Sequence, residues 1–223
     1  GLQAATGTSS AGVINLTVNN TAFRNNFVGI DAAHGSSGTF TFNITNNNLQ
    51  TNVASSAMAI NVNRLGSPSF NSFGLFSGTI SGNTIGTAGV ANSGSDVGDG
   101  INVESNGSGG TTQVAIVSNT IRQVGQHGIF VGAVDANIGG TTPPTLEARI
   151  VSNSVSNMEP AIALDGINVL NGGLNNDDVI VCLDIASNNL TAVRTGLRVR
   201  GSGLPTRPRT VRLEAWDGVT PPQ

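Results

Sequence analysis

The chain contains 223 residues, of which 10% are charged, and its formal net charge of −3 without any lysine gives no basic surface for nucleic acid. Aromatic residues make up 4% of the chain and tyrosine is absent, so we expect small and β-branched side chains, rather than large rings, to fill the core. No apolar run approaches the roughly 18 residues of a membrane-spanning helix, so we expect no transmembrane segment.

The first recurring element is an eight-residue phrase of the form apolar-x-apolar-x-x-Asn-x-apolar. In chain order its copies are "LTVNNTAF", "FNITNNNL", "GTISGNTI", "VAIVSNTI", "ARIVSNSV" and "LDIASNNL". The first copy has Thr21 at the sixth position, and the other five have an asparagine there: Asn47, Asn83, Asn119, Asn153 and Asn188. These asparagines are separated by 36, 36, 34 and 35 residues. A period this regular predicts an architecture of stacked repeats.

A second phrase, Gly-apolar-x-apolar, alternates with the first along the chain. Its copies begin at Gly29, Ala59, Gly100, Gly128, Gly166 and Gly196, with Ala59 in place of glycine in the second copy. Alternation over three to five residues indicates short strands, and no segment has convincing helical periodicity. Each repeat therefore contains at least two short strands joined by loops of variable length.

The length of the repeat explains why its copies must stack. A coil of about 35 residues cannot bury its own inward side chains, but coils stacked about 4.8 Å apart pair each strand with its copies above and below. Isoleucine and valine then form aliphatic columns, and the five asparagines are predicted to form a ladder of side-chain amides at a bend. Asparagine also tolerates the left-handed backbone that a sharp bend requires.

The combined pattern "I-x-x-N-x-I … D-G-I-x-V", over residues 16–199, resembles the short repeats of the right-handed parallel β-helix in the pectate-lyase-like superfamily. We therefore predict an all-β fold, a single-stranded right-handed parallel β-helix (solenoid) of about six coils, over residues 1–203. Residues 204–223 contain four prolines and break the repeat, which predicts a terminal strand, a cap or a linker to a further domain. The resemblance implies no single activity, because similar coils carry lyases, hydrolases, epimerases, phage tailspikes and bacterial surface adhesins.

Three titratable residues precede the second phrase on successive repeats: Asp99, His127 and Asp165. In register they would stack and could act as acid and base, which makes them weak catalytic candidates. The alternative is that each Asp-Gly forms the turn into a strand, with both carboxylates hydrated and favouring a charged His127. We favour the second interpretation.

Two further groups of charged residues are candidates for binding. Six of the ten basic residues lie near the end of the chain and could dock an acidic polysaccharide or a neighbouring domain, or could simply be solvated: Arg194, Arg198, Arg200, Arg207, Arg209 and Arg212. Two acidic loops offer oxygen ligands that suit calcium, although neither matches a defined calcium loop: Asp96 with Asp99, and Asp177 with Asp178. We expect no cofactor, with calcium as the one ion to consider.

The neutral composition and the weak catalytic candidates predict a structural or adhesive segment of a secreted or cell-surface protein. Its expected partners are neighbouring domains of a longer chain, surface carbohydrate, another protein, or a second copy that associates end to end, because open strand edges favour such pairing. The alternatives are a polysaccharide lyase, hydrolase or epimerase with a groove on one face, and a segment of a phage or appendage fibre.

Overall fold

The computed structural model describes residues 1–7, 11–50, 58–65, 74–106, 109–134, 144–156, 165–172, 180–201 and 210–213. Within these ranges the chain is built from 20 strands in three parallel sheets, and no helix is present. The predicted all-β parallel β-helix is therefore confirmed.

Each sheet is a stack of copies of one strand. Sheet A contains β1 (Leu2–Ala5), β4 (Val28–His34), β7 (Met58–Arg64), β10 (Asp99–Asn106), β13 (Ile129–Val134), β16 (Asp165–Asn171) and β19 (Thr195–Gly201). Sheet B contains β2 (Val13–Asn19), β5 (Thr39–Thr45), β8 (Phe76–Ser81), β11 (Thr111–Val117), β14 (Thr145–Val151), β17 (Ile180–Ala186) and β20 (Thr210–Leu213). Sheet C contains β3 (Ala22–Arg24), β6 (Asn48–Gln50), β9 (Thr84–Ile85), β12 (Thr120–Arg122), β15 (Ser154–Ser156) and β18 (Asn189–Leu190).

The chain runs through sheets B, C and A in each coil. From β2 to β19 the described strands form six complete coils, as the sequence predicts, with β1 before them and β20 after them. The first phrase supplies the strands of sheets B and C, and the second supplies those of sheet A. Strand β20 pairs with β17, with Thr210 opposite Ile180 and Leu213 opposite Leu183, so it extends sheet B beyond residue 203.

Aliphatic side chains at equivalent register positions fill the interior. In sheet A one such column is formed by Ile30, Ile60, Ile101, Ile129 and Ile167, and each of its members is fully buried. Burying one isoleucine contributes about 1.5–3 kcal/mol. The register is therefore fixed strongly, since a slip of one residue would turn every column outward.

The interior is mainly aliphatic, as the composition predicts, but it also contains an aromatic cluster. Phe40 and Phe76 have ring centroids 5.2 Å apart, Phe42 lies 5.1 Å from Phe76, and His34 packs 5.4 Å from Phe76. Gly78 makes room for this cluster, because a Cβ there would lie 2.4 Å from Cδ2 of Phe42. Three phenylalanines and one histidine thus pack together in neighbouring coils.

The five ladder asparagines are hydrogen-bonded one to the next at the bend between sheets B and C. Asn83 donates to Oδ1 of Asn119 from both its backbone nitrogen and Nδ2, each at 3.0 Å, and Nδ2 also donates to the carbonyl of Ile44. The same pattern links Asn47 to Asn83, Asn119 to Asn153, and Asn153 to Asn188. Each buried amide in the middle of the ladder is thereby satisfied by its neighbours.

The left-handed residue of each bend is the one before the ladder position, which corrects the sequence expectation. The φ angles there are 55° at Asn46, 64° at Gly82, 55° at Ser118, 58° at Ser152 and 55° at Ser187. The ladder asparagine is therefore selected for its amide, and the preceding residue carries the backbone strain.

Candidate functional site

Asp99, His127 and Asp165 lie on successive coils of sheet A, at or just before the start of β10, β13 and β16. Ile101, Ile129 and Ile167 follow these residues by two positions and pair with one another in register. The three polar residues are therefore aligned as well. We call these three residues and their contacts the polar cluster; its remaining members are Phe130, Asn168 and Arg198.

His127 is the centre of the cluster. Its backbone nitrogen donates to Oδ1 of Asp99 at 2.9 Å, which ties the two coils together. Its ring nitrogen Nδ1 accepts from the backbone nitrogen of Asp165 at 3.3 Å and lies 3.5 Å from Oδ2 of the same residue. Nδ2 of Asn168 lies 3.0 Å from Nε2 of His127 and donates to Oδ2 of Asp165 at 3.1 Å. The histidine thus contacts the coil below and the coil above.

A neutral ring fits this arrangement better than a charged ring does. Neutral imidazole carries one unprotonated nitrogen, which can accept either from the backbone of Asp165 or from Asn168, whereas protonated imidazole accepts from neither. Burial lowers the pKa of His127 to about 4; the charge of Asp165 opposes this, and the charges of Arg200, Arg198 and Arg194 add to it. His127 is therefore uncharged at neutral pH.

Burial also changes the pKa of the Asp99 carboxyl. Asp99 is 6% exposed, and burial raises its pKa to about 7. The hydrogen bond from the backbone of His127 lowers this pKa, and repulsion by Glu104 raises it. Asp165 is fully buried. The expectation that both carboxylates are hydrated and favour a charged histidine is therefore wrong, because desolvation outweighs the attraction between the groups.

Two side chains on the outer face, two coils apart with Asn168 between them in register, close the cluster. The Phe130 ring stacks on the ring of His127 with centroids 5.7 Å apart, and Nη1 of Arg198 lies 3.8 Å from Oδ2 of Asp165. Phe130, Asn168 and Arg198 all occupy the variable position of Gly-apolar-x-apolar, and none of them was predicted from the sequence to belong to this cluster. The repeat could have indicated that these three side chains lie together, because the variable position of the phrase faces the same side of the sheet in each coil.

The arginines considered for docking that the structure describes lie on two different sheets. Arg194, Arg198 and Arg200 are exposed at the last described strand of sheet A, whereas Arg212 lies in β20 of sheet B. Arg207 and Arg209 lie outside the described residues.

The calcium candidates give no assembled site in the part of the chain that the structure describes. Asp96 is half-buried, and Oδ1 of Asp99 accepts from the backbone of His127. Among the described residues, no three His, Cys, Asp or Glu side chains are arranged to hold a metal ion. Asp177 and Asp178 lie outside the described residues.

Comparisons with known proteins add no relative to this picture. No protein-family model, no curated protein and no solved structure matches the chain. The described residues contain no helix of the length and apolarity needed to cross a membrane.

Proposed function

We propose that this chain is a structural or adhesive β-helical segment of a secreted or cell-surface protein, without catalytic activity. The observation that carries the proposal is the burial of the polar cluster: His127 is 5% exposed, Asp99 6%, and Asp165 is fully buried. A substrate needs direct access to an acid and a base, whereas these groups bind one another and the backbone of adjacent coils. Their arrangement suits a clip that holds three coils in register.

The outer face of the first coils of sheet B supports an adhesive role. Its outward positions hold uncharged side chains that are exposed or half-buried: Asn15, Thr17, Asn19, Thr39, Thr41, Asn43, Thr45, Ser77, Thr79 and Ser81. Such a face offers many donors and acceptors for contact with a carbohydrate or another protein. The alternating phrases also support membership of the pectate-lyase-like superfamily as part of this proposal.

The alternative is a polysaccharide lyase, hydrolase or epimerase, and one observation favours it. Asp99, with its pKa raised to about 7, holds a proton near neutral pH and is suited to act as a general acid. A loop movement that opened the cluster would be needed first.

Turnover on a panel of acidic and neutral polysaccharides, with and without calcium, separates the two functions. We expect the wild-type chain to release no more product than His127→Ala. Activity that disappears in both His127→Ala and Asp165→Asn, while the circular dichroism spectrum is retained, would refute the structural role. Fractionation of the source cells with an antibody tests the location, and a cytosolic protein would contradict it.

A fibre segment is the third candidate, and its test is association. Sedimentation velocity over a range of concentrations would reveal end-to-end oligomers. A series of species that grows without limit favours the fibre, and a monomer at every concentration favours the isolated structural segment.

A further inference from the structure

A second site lies on sheet B, on a different face from the polar cluster. The outer surface of β8, β11 and β14 contains a groove of about 260 Å³. Ala115 forms its floor, in register with Thr79 on the coil below and with Arg149 on the coil above. The groove exists because the methyl group of Ala115 is much shorter than its neighbours in the same column and than Gln113 on the same strand.

Inter-coil contacts hold the walls of the groove in place. Nε2 of Gln113 donates to Oε2 of Glu147 at 2.7 Å, which fixes the amide and the carboxylate side by side. On the other side, Nε of Arg149 lies 3.4 Å from Oδ2 of Asp184, and the Asp184 side chain is only 10% exposed. Side chains that are already ordered lose less conformational entropy when a ligand binds, so the walls are preorganised.

The charges of the groove select against anions. Glu147 and Arg149 line the groove, and Asp184 pairs with Arg149 from the coil above, so these three side chains together carry a formal charge of −1. A uronate or a phosphate would therefore meet net repulsion, whereas a neutral ligand would not. The lining contains both donors and acceptors, because the hydroxyls of Ser77 and Thr79 lie on the lowest of the three coils and the amide, carboxylate and guanidinium groups lie on the two coils above. Hydroxyl groups, which both donate and accept, match such a surface.

The size and position of the groove define the ligand further. Its volume is below the roughly 300–1,000 Å³ of pockets that hold drug-sized molecules, so it suits a single small ring. The neutral face formed by Thr41, Asn43 and the neighbouring hydroxyl and amide side chains continues from the groove across the coils below. We propose that this groove binds one residue of a neutral oligosaccharide whose chain continues along sheet B. This inference rests on the adhesive role proposed above and names its ligand class.

The test uses the intact chain and two isoleucine variants. Ala115→Ile fills the groove with a β-branched side chain that a strand accommodates. Ala22→Ile makes the same substitution at an exposed position of β3 in sheet C, away from the groove and from the outer face of sheet B, and serves as the matched control. Binding of neutral hexose oligosaccharides and of uronate oligosaccharides is measured by isothermal titration calorimetry, with circular dichroism to verify the fold.

We expect the wild-type chain and Ala22→Ile to bind a neutral oligosaccharide, and Ala115→Ile to bind it at least about tenfold more weakly. Glu147→Gln removes the net negative charge while it keeps the shape, so uronate binding should increase in this variant. Equal binding by the two isoleucine variants, stronger binding of uronates by the wild type, or no binding of any neutral oligosaccharide would overturn the inference. A concentration-dependent dimer that Ala115→Ile abolishes would also overturn it, because the occupant would then be a second copy. Turnover of the bound saccharide would instead refute the non-catalytic role.

Discussion

Replacing Asp99 by asparagine should make the protein more sensitive to acid, although it removes an acidic group. The pKa of Asp99 is raised to about 7, so the folded chain binds a proton there from about pH 7 downward, whereas the unfolded chain binds it only near pH 4. The carboxyl therefore stabilises the fold increasingly as the pH falls from 7 to 5. Integrated over that interval, its contribution is about 2 kcal/mol.

The two histidines act in the opposite direction. Burial lowers the pKa of both His34 and His127 to about 4, so below pH 6.5 the unfolded chain binds protons that the folded chain does not. Each histidine then costs about 2 kcal/mol between pH 7 and pH 5. With Asp99 present, these three groups produce a net loss of about 2 kcal/mol, and in Asp99→Asn the loss becomes about 4 kcal/mol.

Urea unfolding at pH 7 and pH 5, followed by circular dichroism, measures this difference. The asparagine still offers Oδ1 to the backbone of His127, so the hydrogen bond between the coils is retained. His127→Gln is the companion variant, and its free energy of unfolding should change little over the same interval because one histidine then balances Asp99. An unchanged pH dependence in Asp99→Asn would show that this carboxyl is ionised in the fold and would refute the reasoning.

Three further predictions concern the coils themselves and are measured by the same unfolding assay. Asn119→Ala, in the middle of the ladder, should lower the free energy of unfolding by about 3 kcal/mol because it leaves buried partners unsatisfied. Asn188→Ala, at the half-buried end, should lower it by less than half as much. Equal losses would contradict a cooperative ladder. Gly128→Ala should destabilise the fold by about 1–3 kcal/mol, because the new Cβ would lie 2.3 Å from Cγ1 of Val155. Gly7→Ala should leave the stability unchanged, because its Cβ would meet no atom within 4 Å. The reverse order of stabilities would refute the packing. Thr21→Asn should extend the ladder by one amide and stabilise the fold by about 0.5–1 kcal/mol, and a loss of stability would contradict the assigned register.

The repeating part of this fold could be predicted because each coil has similar residues at equivalent positions. A ladder asparagine is useful only when the next coil also has one, so Asn83 and Asn119 mark the period by their recurrence. The left-handed bend was assigned to the wrong residue because its position holds asparagine, glycine or serine, and no single letter identifies it.

The sites were less visible in the sequence than the repeat. Asp99, His127 and Asp165 were aligned correctly, but their burial depends on residues such as Phe130 and Arg198, which occupy the position of the phrase that varies from coil to coil. Ala115 is an ordinary residue in the sequence, and only the register that places it between Thr79 and Arg149 reveals a groove. Periodicity thus predicts which residues stack, whereas exposure and charge depend on side chains that differ from coil to coil.

The ladder also gives the molecule a polarity. Every amide from Asn47 to Asn153 donates toward the C-terminal neighbour and accepts from the N-terminal side, so the dipoles of the column add along the axis rather than cancel. One end of the column presents acceptors and the other presents donors. A second copy that continued this column would therefore have to point in the same direction. Such a contact is heterologous, and when repeated it produces an open filament rather than a closed dimer.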